Sequence, residues 1–199
     1  LVNESATLDP HLQWNPDSYA VYRNIFDNLV TRDNDGKIIP QVASEWKFIT
    51  DTEIEFTIRT DIVFHDGSKL TPEDVVYSVT RITDKELASP QRSQFAAITR
   101  AEVAGPDKVK FYTDKPYPPL LAQLVKLSIV PKAVVEKVGK EAFNLNPVGS
   151  GPYKFKEWQR GVSITLTAND SYWGAKGKFP TAEFRFVPDP GTRVADLRT

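Results

Sequence analysis

Prolines set the strongest limit on how this chain can fold, because fifteen of them are spread along its 199 residues. A proline breaks the hydrogen bonding of a helix interior and of a central strand. The segments between neighbouring prolines therefore cannot form long elements. The sequence predicts many short helices and strands joined by turns, with no internal repeat.

Helical and β-type periodicities alternate along the chain. Apolar residues at helical spacing occupy residues 20–30, and Thr71 followed by Pro72 and two acidic residues is typical of a helix start. Further helices are predicted at residues 117–124, around 133–138, and after 188. Period-two alternation predicts strands at residues 46–48, 54–58, 109–111, 153–155, 162–166 and 184–186. This interleaving indicates an α/β fold of the mixed α+β type.

Charge and composition argue against several classes of protein. The net charge is −1, and basic residues are interleaved with acidic ones, so we expect no nucleic-acid partner. Cysteine is absent, which excludes disulfides, zinc thiolates and cysteine nucleophiles. No run approaches the roughly 18–20 apolar residues that a membrane helix needs.

The motifs of catalysis and metal binding are also missing. The chain has no Gly-x-Ser-x-Gly elbow, and Gly149 and Gly151 precede a predicted strand rather than a phosphate-binding helix. The two histidines, His11 and His65, have no second ligand three or four residues away. We therefore expect no enzyme activity, no cofactor and no metal site. A secreted hydrolase with an unrecognised carboxylate pair remains the alternative from another class.

Ten short stretches, taken in order, resemble the bacterial solute-binding proteins of family 5. They are Thr-Leu-Asp-Pro-His at 7–11, Ile-Phe-Asp-Asn-Leu-Val at 25–30, Asp-Gly-Lys-Ile-Ile-Pro at 35–40, Ala-Ser-Glu-Trp at 43–46, Phe-Thr-Ile-Arg at 56–59, Phe-His-Asp-Gly at 64–67, Leu-Thr-Pro-Glu-Asp-Val at 70–75, Pro-Val-Gly-Ser-Gly-Pro-Tyr at 147–153, Asn-Asp-Ser-Tyr-Trp-Gly at 169–174 and Pro-Asp-Pro-Gly-Thr-Arg at 188–193. Each stretch alone is a weak signal. Their order over nearly the whole chain makes a strong one.

The resemblance implies a lobe of the type II periplasmic-binding-protein fold that carries an inserted subdomain, with the second lobe missing. We expect residues 1–27 and 148–199 to form the discontinuous first-lobe core and residues 28–147 to form the insertion. The patterning also changes to strict alternation after Pro152, so we expect residues 1–25 and 150–190 to share a sheet. Position 1 is leucine and not methionine, so we expect Leu1 to follow processing, trimming or disorder, with any signal peptide already removed.

The function that the resemblance implies is the capture of di- or oligopeptides for an ABC importer. Its partners are a peptide and the permease subunits, and we expect a monomer in the periplasm or lipid-anchored at the outer face of the cytoplasmic membrane. A nickel complex, an opine-like compound or an oligosaccharide remains an alternative cargo on the same fold.

Two segments resemble the contributions of the first lobe to the ligand cleft. One is the loop of Gln13, Trp14, Asn15 and Pro16, which offers backbone groups to a peptide main chain in this family. The other contains Gln91, Ser93 and Phe95, and Ser128 is a weaker third candidate. A tryptophan outside any periodic pattern is a suitable binding platform, which makes Trp14 the foremost candidate.

Overall fold

The computed structural model describes residues 1–196 and 198. Its helices are α1 (Pro16–Ile25), α2 (Pro72–Thr83), α3 (Arg92–Phe95), α4 (Leu120–Leu124), α5 (Lys132–Leu145) and α6 (Pro190–Asp196). Its strands are β1 (Val30–Arg32), β2 (Ile38–Pro40), β3 (Ala43–Thr50), β4 (Glu53–Ile58), β5 (Ile98–Gly105), β6 (Lys108–Thr113), β7 (Tyr153–Gln159), β8 (Ser163–Ala168) and β9 (Thr181–Arg185). Helices and strands are interleaved and short, as the proline distribution predicts.

The strands form three antiparallel sheets. The central sheet has the order β3-β4-β6-β5, the second has the order β7-β8-β9, and β1 pairs with β2 as a hairpin. Gly36 has a φ of 80° in the turn of that hairpin, a conformation that glycine adopts without steric cost. No helix within the described residues is both long enough and apolar enough to cross a membrane.

Two clusters of buried apolar side chains make up the core. The first surrounds the four-stranded sheet and includes Phe56 and Phe111, whose ring centroids lie 5.2 Å apart. The second joins α1, α5 and the three-stranded sheet, and includes Tyr22, Phe143 and Leu166. The inner face of β4 shows the expected alternation, with every second residue buried.

The second cluster differs in two respects from the predicted organisation. Residues 1–25 contribute no strand to β7-β8-β9, so the expectation of a shared sheet is wrong. Instead α1 packs against β7, and Leu1 exchanges two backbone hydrogen bonds with Arg185 and Val187. Helix α5, which lies in the range assigned to the insertion, also packs into this cluster. The division at residues 28 and 147 stays a prediction.

The backbone of residues 149–151 makes a close contact with the end of α1. The N–H of Gly151 donates to the carbonyl of Ile25 at 2.9 Å. A Cβ atom on Gly149 would lie 2.0 Å from the same carbonyl oxygen. Only glycine allows this approach, which explains the Gly-Ser-Gly spacing before β7.

Candidate functional site

The loop before α1 is held at both ends by hydrogen bonds. At its start, the Ser89 hydroxyl donates to the carbonyl of His11 at 2.6 Å, and Gln91 Nε2 donates to the carbonyl of Pro10 at 2.6 Å. At its end, Asn15 Oδ1 accepts from the N–H of Ser18 at 2.8 Å and caps α1. These hydrogen bonds fix the position of the backbone on both sides of the residues in between.

A buried polar cluster lies beneath this loop. Arg81 on α2 makes a two-pronged ion pair with Asp9, and its Nη1 also lies 3.0 Å from His11 Nδ1. Because Arg81 donates to Nδ1, the proton of His11 resides on Nε2 and is donated to the carbonyl of Ser128 at 2.9 Å. Burial is the main cause that lowers the pKa of His11 to about 4, so the ring stays neutral.

Trp14 is the exposed aromatic residue of this loop, with 37% of its surface accessible. The centroid of the Trp14 ring lies 6.0 Å from that of Tyr19. Lys126 Nζ lies 4.7 Å from the centroid of the same Trp14 ring. The ring borders a groove with a volume of about 230 Å³ that is also lined by Tyr19, Arg23, Thr31, Arg32, Val125 and Lys126. Trp14 therefore contacts Tyr19 and Lys126 of its own chain and leaves part of its surface accessible.

The other residues of the predicted loop have mixed roles. Gln13 Oε1 accepts from the N–H of Ala6 at 2.8 Å, so its side chain is used within the chain. Pro16 begins α1 and is exposed, and Asn15 is half-buried as the helix cap. In the part of the chain that the structure describes, the backbone N–H groups of Gln13, Trp14 and Asn15 donate to no protein acceptor.

The second predicted segment is mostly part of the core. Gln91 is 1% exposed and its amide nitrogen supports the Trp14 loop from beneath, so it presents no surface to a ligand. Phe95 is 1% exposed and belongs to the first core cluster, because the short helix α3 turns it inward. Ser93 is exposed on the same helix. Ser128 is buried and donates to Asn28 Oδ1 at 2.9 Å.

Asp27 is a buried carboxylate whose role sequence reasoning missed. Gln41 Nε2 and the Tyr172 hydroxyl donate to its Oδ1, and the Ser150 hydroxyl and the Trp173 Nε1 donate to its Oδ2, all at 2.8–2.9 Å. Burial raises the pKa of Asp27 in spite of these donors. The available signal was its place, beside Asn28, between the apolar pairs of the stretch at residues 25–30. The four donors come from distant parts of the chain, which indicates a structural junction.

His65 occupies a comparable junction, where backbone groups engage both of its ring nitrogens. Its Nε2 lies 3.0 Å from the carbonyl of Gly151, and the N–H of Gly149 donates to its Nδ1 at 3.3 Å. These partners fix the neutral ring, and burial lowers the pKa of His65 to about 4. Within residues 1–196 and 198 there is no group of three His, Asp or Glu side chains arranged to hold a metal ion.

Comparison with known proteins identifies the family. The sequence profile described as "Bacterial extracellular solute-binding proteins, family 5 Middle" matches residues 37–199. The chain belongs to this family. It is a family of substrate-binding proteins, and the membership confirms the resemblance carried by the ten motifs.

Individual relatives agree with this assignment. The chain is 33% identical over 192 residues to the periplasmic oligopeptide-binding protein OppA of Salmonella typhimurium, covering 86% of this chain and 35% of OppA. It superposes on NikZ of Campylobacter jejuni in complex with Ni(L-His) with a TM-score of 0.92 and 30% identity, covering 98% of this chain and 40% of NikZ. It superposes equally well, with a TM-score of 0.92 and 25% identity, on AppA of Bacillus subtilis in complex with a nonapeptide, covering 100% of this chain and 41% of AppA.

These similarities confirm the predicted mixed α+β, periplasmic-binding-protein-like fold. The chain spans about 35% of the length of the curated relative and about 40% of the two solved structures.

Proposed function

We propose that this chain is the first lobe of the substrate-binding component of an ABC importer that captures di- or oligopeptides outside the cytoplasmic membrane. The ligand is then delivered to the permease subunits, and the carrier acts as a monomer without enzyme activity. Support comes from family membership and from the peptide-binding relatives. The periplasm, or the outer face of the cytoplasmic membrane through a lipid anchor, is the location that fits this role.

The observation that carries the proposal is the open backbone of the Trp14 loop. Gln13, Trp14 and Asn15 keep N–H groups that no protein acceptor engages within the described residues. Asn15 has extended backbone angles, with φ −149° and ψ 167°. An extended peptide pairs with such a segment through main-chain hydrogen bonds that are indifferent to sequence.

Trp14 complements these backbone groups with a flat apolar surface. Part of its surface is exposed, while Tyr19 and Lys126 contact the ring. A partly exposed tryptophan on a rigid loop buries a large apolar area when a ligand covers it. The loop therefore combines backbone pairing with an aromatic platform, which is suited to a peptide of varied sequence.

The experiment is calorimetric titration of the full-length gene product with short peptides, together with native mass spectrometry of the protein purified without refolding. We expect Trp14→Ala to weaken peptide binding by about 1–3 kcal/mol, because a platform residue loses its contact area. The melting temperature of the unliganded protein should change little, because the ring lies at the surface.

Trp158→Ala is the matched control for this substitution. Trp158 is partly buried against the second core cluster, and its Nε1 donates to Glu4. Its truncation should lower stability and leave peptide affinity unchanged. If Trp14→Ala behaves like this control, the loop is structural. If the full-length protein binds no peptide at all, the proposed function is wrong.

A carboxylate-bearing nickel complex is the second candidate ligand. It is favoured by the similarity to NikZ, whose structure contains Ni(L-His), and by the cationic side chains around Trp14. The same native mass spectra distinguish the two candidates, since a metal complex and a peptide add different masses to the protein.

A further inference from the structure

The groove beside Trp14 is lined by positive charge without any negative charge. Arg23, Arg32 and Lys126 contribute to its wall, and no acidic side chain among the described residues does so. The wider groove between α2 and α5, by contrast, sets Asp84 and Glu86 beside Arg81 and Lys140. With a net charge of −1 for the whole chain, the positive groove is a local feature and not a consequence of composition.

Aromatic rings, and not carboxylates, hold two of these cations. Lys126 Nζ lies 4.7 Å from the centroid of Trp14, and the guanidinium carbon of Arg23 lies 5.6 Å from that of Tyr19. A cation–π contact positions a cation without neutralising its charge. In the part of the chain that the structure describes, Arg23, Arg32 and Lys126 form no ion pair. Their charge therefore remains available to a ligand.

The frame of the groove is fixed by hydrogen bonds. Tyr19 and Arg23 lie one turn apart on the same face of α1. The Tyr19 hydroxyl donates to the carbonyl of Val125 at 3.4 Å, and Asn28 Nδ2 donates to the same oxygen at 2.7 Å. Lys126 Nζ also donates to Gln94 Oε1 at 3.1 Å. These contacts join helix α1 to the segment after α4, which positions Arg23 and Lys126 before a ligand binds.

We propose that this groove binds a carboxylate of the transported ligand, while the rest of the same ligand residue lies against Trp14. The inference rests on the proposed function and adds that the groove selects ligands that carry a carboxylate. A volume of about 230 Å³ is smaller than the roughly 300–1,000 Å³ of a site for a whole small molecule, so it fits one residue of the ligand. Three cations without an acid disfavour an ammonium group there.

Two parts of a peptide carry this chemistry, the C-terminal carboxylate and an acidic side chain. Three tripeptides separate them in titrations of the full-length gene product. They are Ala-Gln-Ala with a free carboxylate, its C-terminal amide, and Ala-Glu-Ala amide. We expect at least one carboxylate-bearing form to bind about 10- to 100-fold more tightly than Ala-Gln-Ala amide, which has no carboxylate, because charge-assisted hydrogen bonds are the stronger kind. The preferred form identifies the source of the carboxylate.

Substitutions then assign the preference to the groove. Lys126→Gln should reduce the preference for the carboxylate to less than about threefold, and Lys126→Arg should retain it, since the charge and the stacking on Trp14 persist. Arg23→Gln is the second variant, because Arg23 is exposed and its replacement leaves the core intact. Lys115→Gln is the matched control, at an exposed lysine on the loop between β6 and α4. It should have no effect.

The outcomes separate this inference from the function on which it rests. If the wild-type protein binds all three peptides equally, or if Lys126→Gln and Arg23→Gln both keep the preference, the inference is overturned and the peptide function stands. If no peptide binds, the peptide function fails, and the nickel–histidine complex becomes the probe because it also bears carboxylates. Loss of its binding in Lys126→Gln supports the groove, whereas unchanged binding, or no binding to the wild type, overturns it.

Discussion

His65 shows how a single buried side chain joins distant segments of this chain. It lies on the turn after β4, yet both ring nitrogens are engaged by backbone groups of residues 149–151. Only the neutral ring satisfies both partners, because Nδ1 must accept while Nε2 donates. Protonation would place a second proton on Nδ1, opposite the N–H of Gly149. The pKa of His65 is accordingly lowered to about 4, with burial as the main cause.

This shift makes the stability of the protein sensitive to pH in a defined direction. Unfolded His65 would titrate near its ordinary value of 6.5, whereas the folded ring takes up a proton only near pH 4. The unfolded chain therefore binds more protons between these values, and the stabilisation from neutral His65 is lost as the pH falls through that window. The full effect is at most about 3 kcal/mol.

We expect His65→Gln to abolish this part of the acid sensitivity. Urea unfolding of the full-length protein at pH 7.5 and pH 4.5 gives the free energy of unfolding for both forms. The stability advantage of the wild type should shrink by about 2 kcal/mol at the lower pH. His11, whose pKa is also lowered to about 4, is present in both forms and cancels from the comparison. A constant gap between the two forms at both pH values would contradict the expectation.

Side-chain roles at the proposed site were only partly predictable from the sequence. Trp14 stands outside any periodic pattern, and 37% of its surface is accessible, while its role as a ligand platform stays a prediction. Phe95 was expected near the ligand but is a core residue, because the direction of a side chain on a one-turn helix depends on tertiary packing. Arg23, Arg32 and Lys126 escaped notice since they come from three separate elements, and no local spacing reveals such a convergence.

At the scale of the elements, α2 is the best-specified helix in the sequence. Both the N–H and the hydroxyl of Thr71 donate to Asp74 Oδ2 at 2.9 Å, and Pro72 occupies the first turn. The other oxygen of Asp74 accepts from the N–H of Lys132 at 2.8 Å. The same carboxylate therefore caps α2 and anchors the start of α5.

Because Asp74 contacts the starts of two helices, replacing it should reduce the stability of the protein far more than replacing its neighbour Glu73. Asp74→Ala should destabilise the full-length protein by about 2–3 kcal/mol, because it leaves backbone donors at the starts of two helices without their acceptor. Glu73→Ala, an exposed acid in the same first turn, should change stability by less than about 0.5 kcal/mol. Thermal melts followed by circular dichroism measure both variants. Equal losses would mean that the helix dipole, and not the two anchoring contacts, is responsible.

The elements that could be predicted are those with strong local signals. Strand β4 has perfect alternation, and α2 has a complete set of start signals. Strand β5 was missed because its burial pattern is irregular, with register shifts at both ends of its pairing with β6. Its position at the edge of the central sheet is set by that partner strand, which no local pattern in residues 98–105 discloses.

At the scale of the whole molecule, we propose that the Trp14 loop and the cationic groove beside it form one wall of a binding cleft. The Trp14 loop and the cationic groove lie at the surface, and 37% of the Trp14 surface stays accessible among the residues that the structure describes. Sites for small molecules usually enclose about 70–90% of the ligand surface. The chain also spans only about 40% of the ligand-bound structures that it resembles. We therefore propose that a second lobe supplies the opposite wall.

The last prediction follows from this incomplete enclosure. The 199-residue chain on its own should bind a peptide at least about 100- to 1,000-fold more weakly than the full-length gene product, a loss of roughly 3–4 kcal/mol. The physical reason is that one wall supplies part of the buried area and part of the hydrogen bonds, while the cost of immobilising the peptide is almost the same. Calorimetric titration of both proteins with the same peptide measures the difference. Circular dichroism and a cooperative melt must first establish that the shorter chain is folded, so that weak binding is not a result of unfolding. Equal affinities would show that the Trp14 loop and its cationic groove form a complete site, and the proposed two-lobed enclosure would then be wrong.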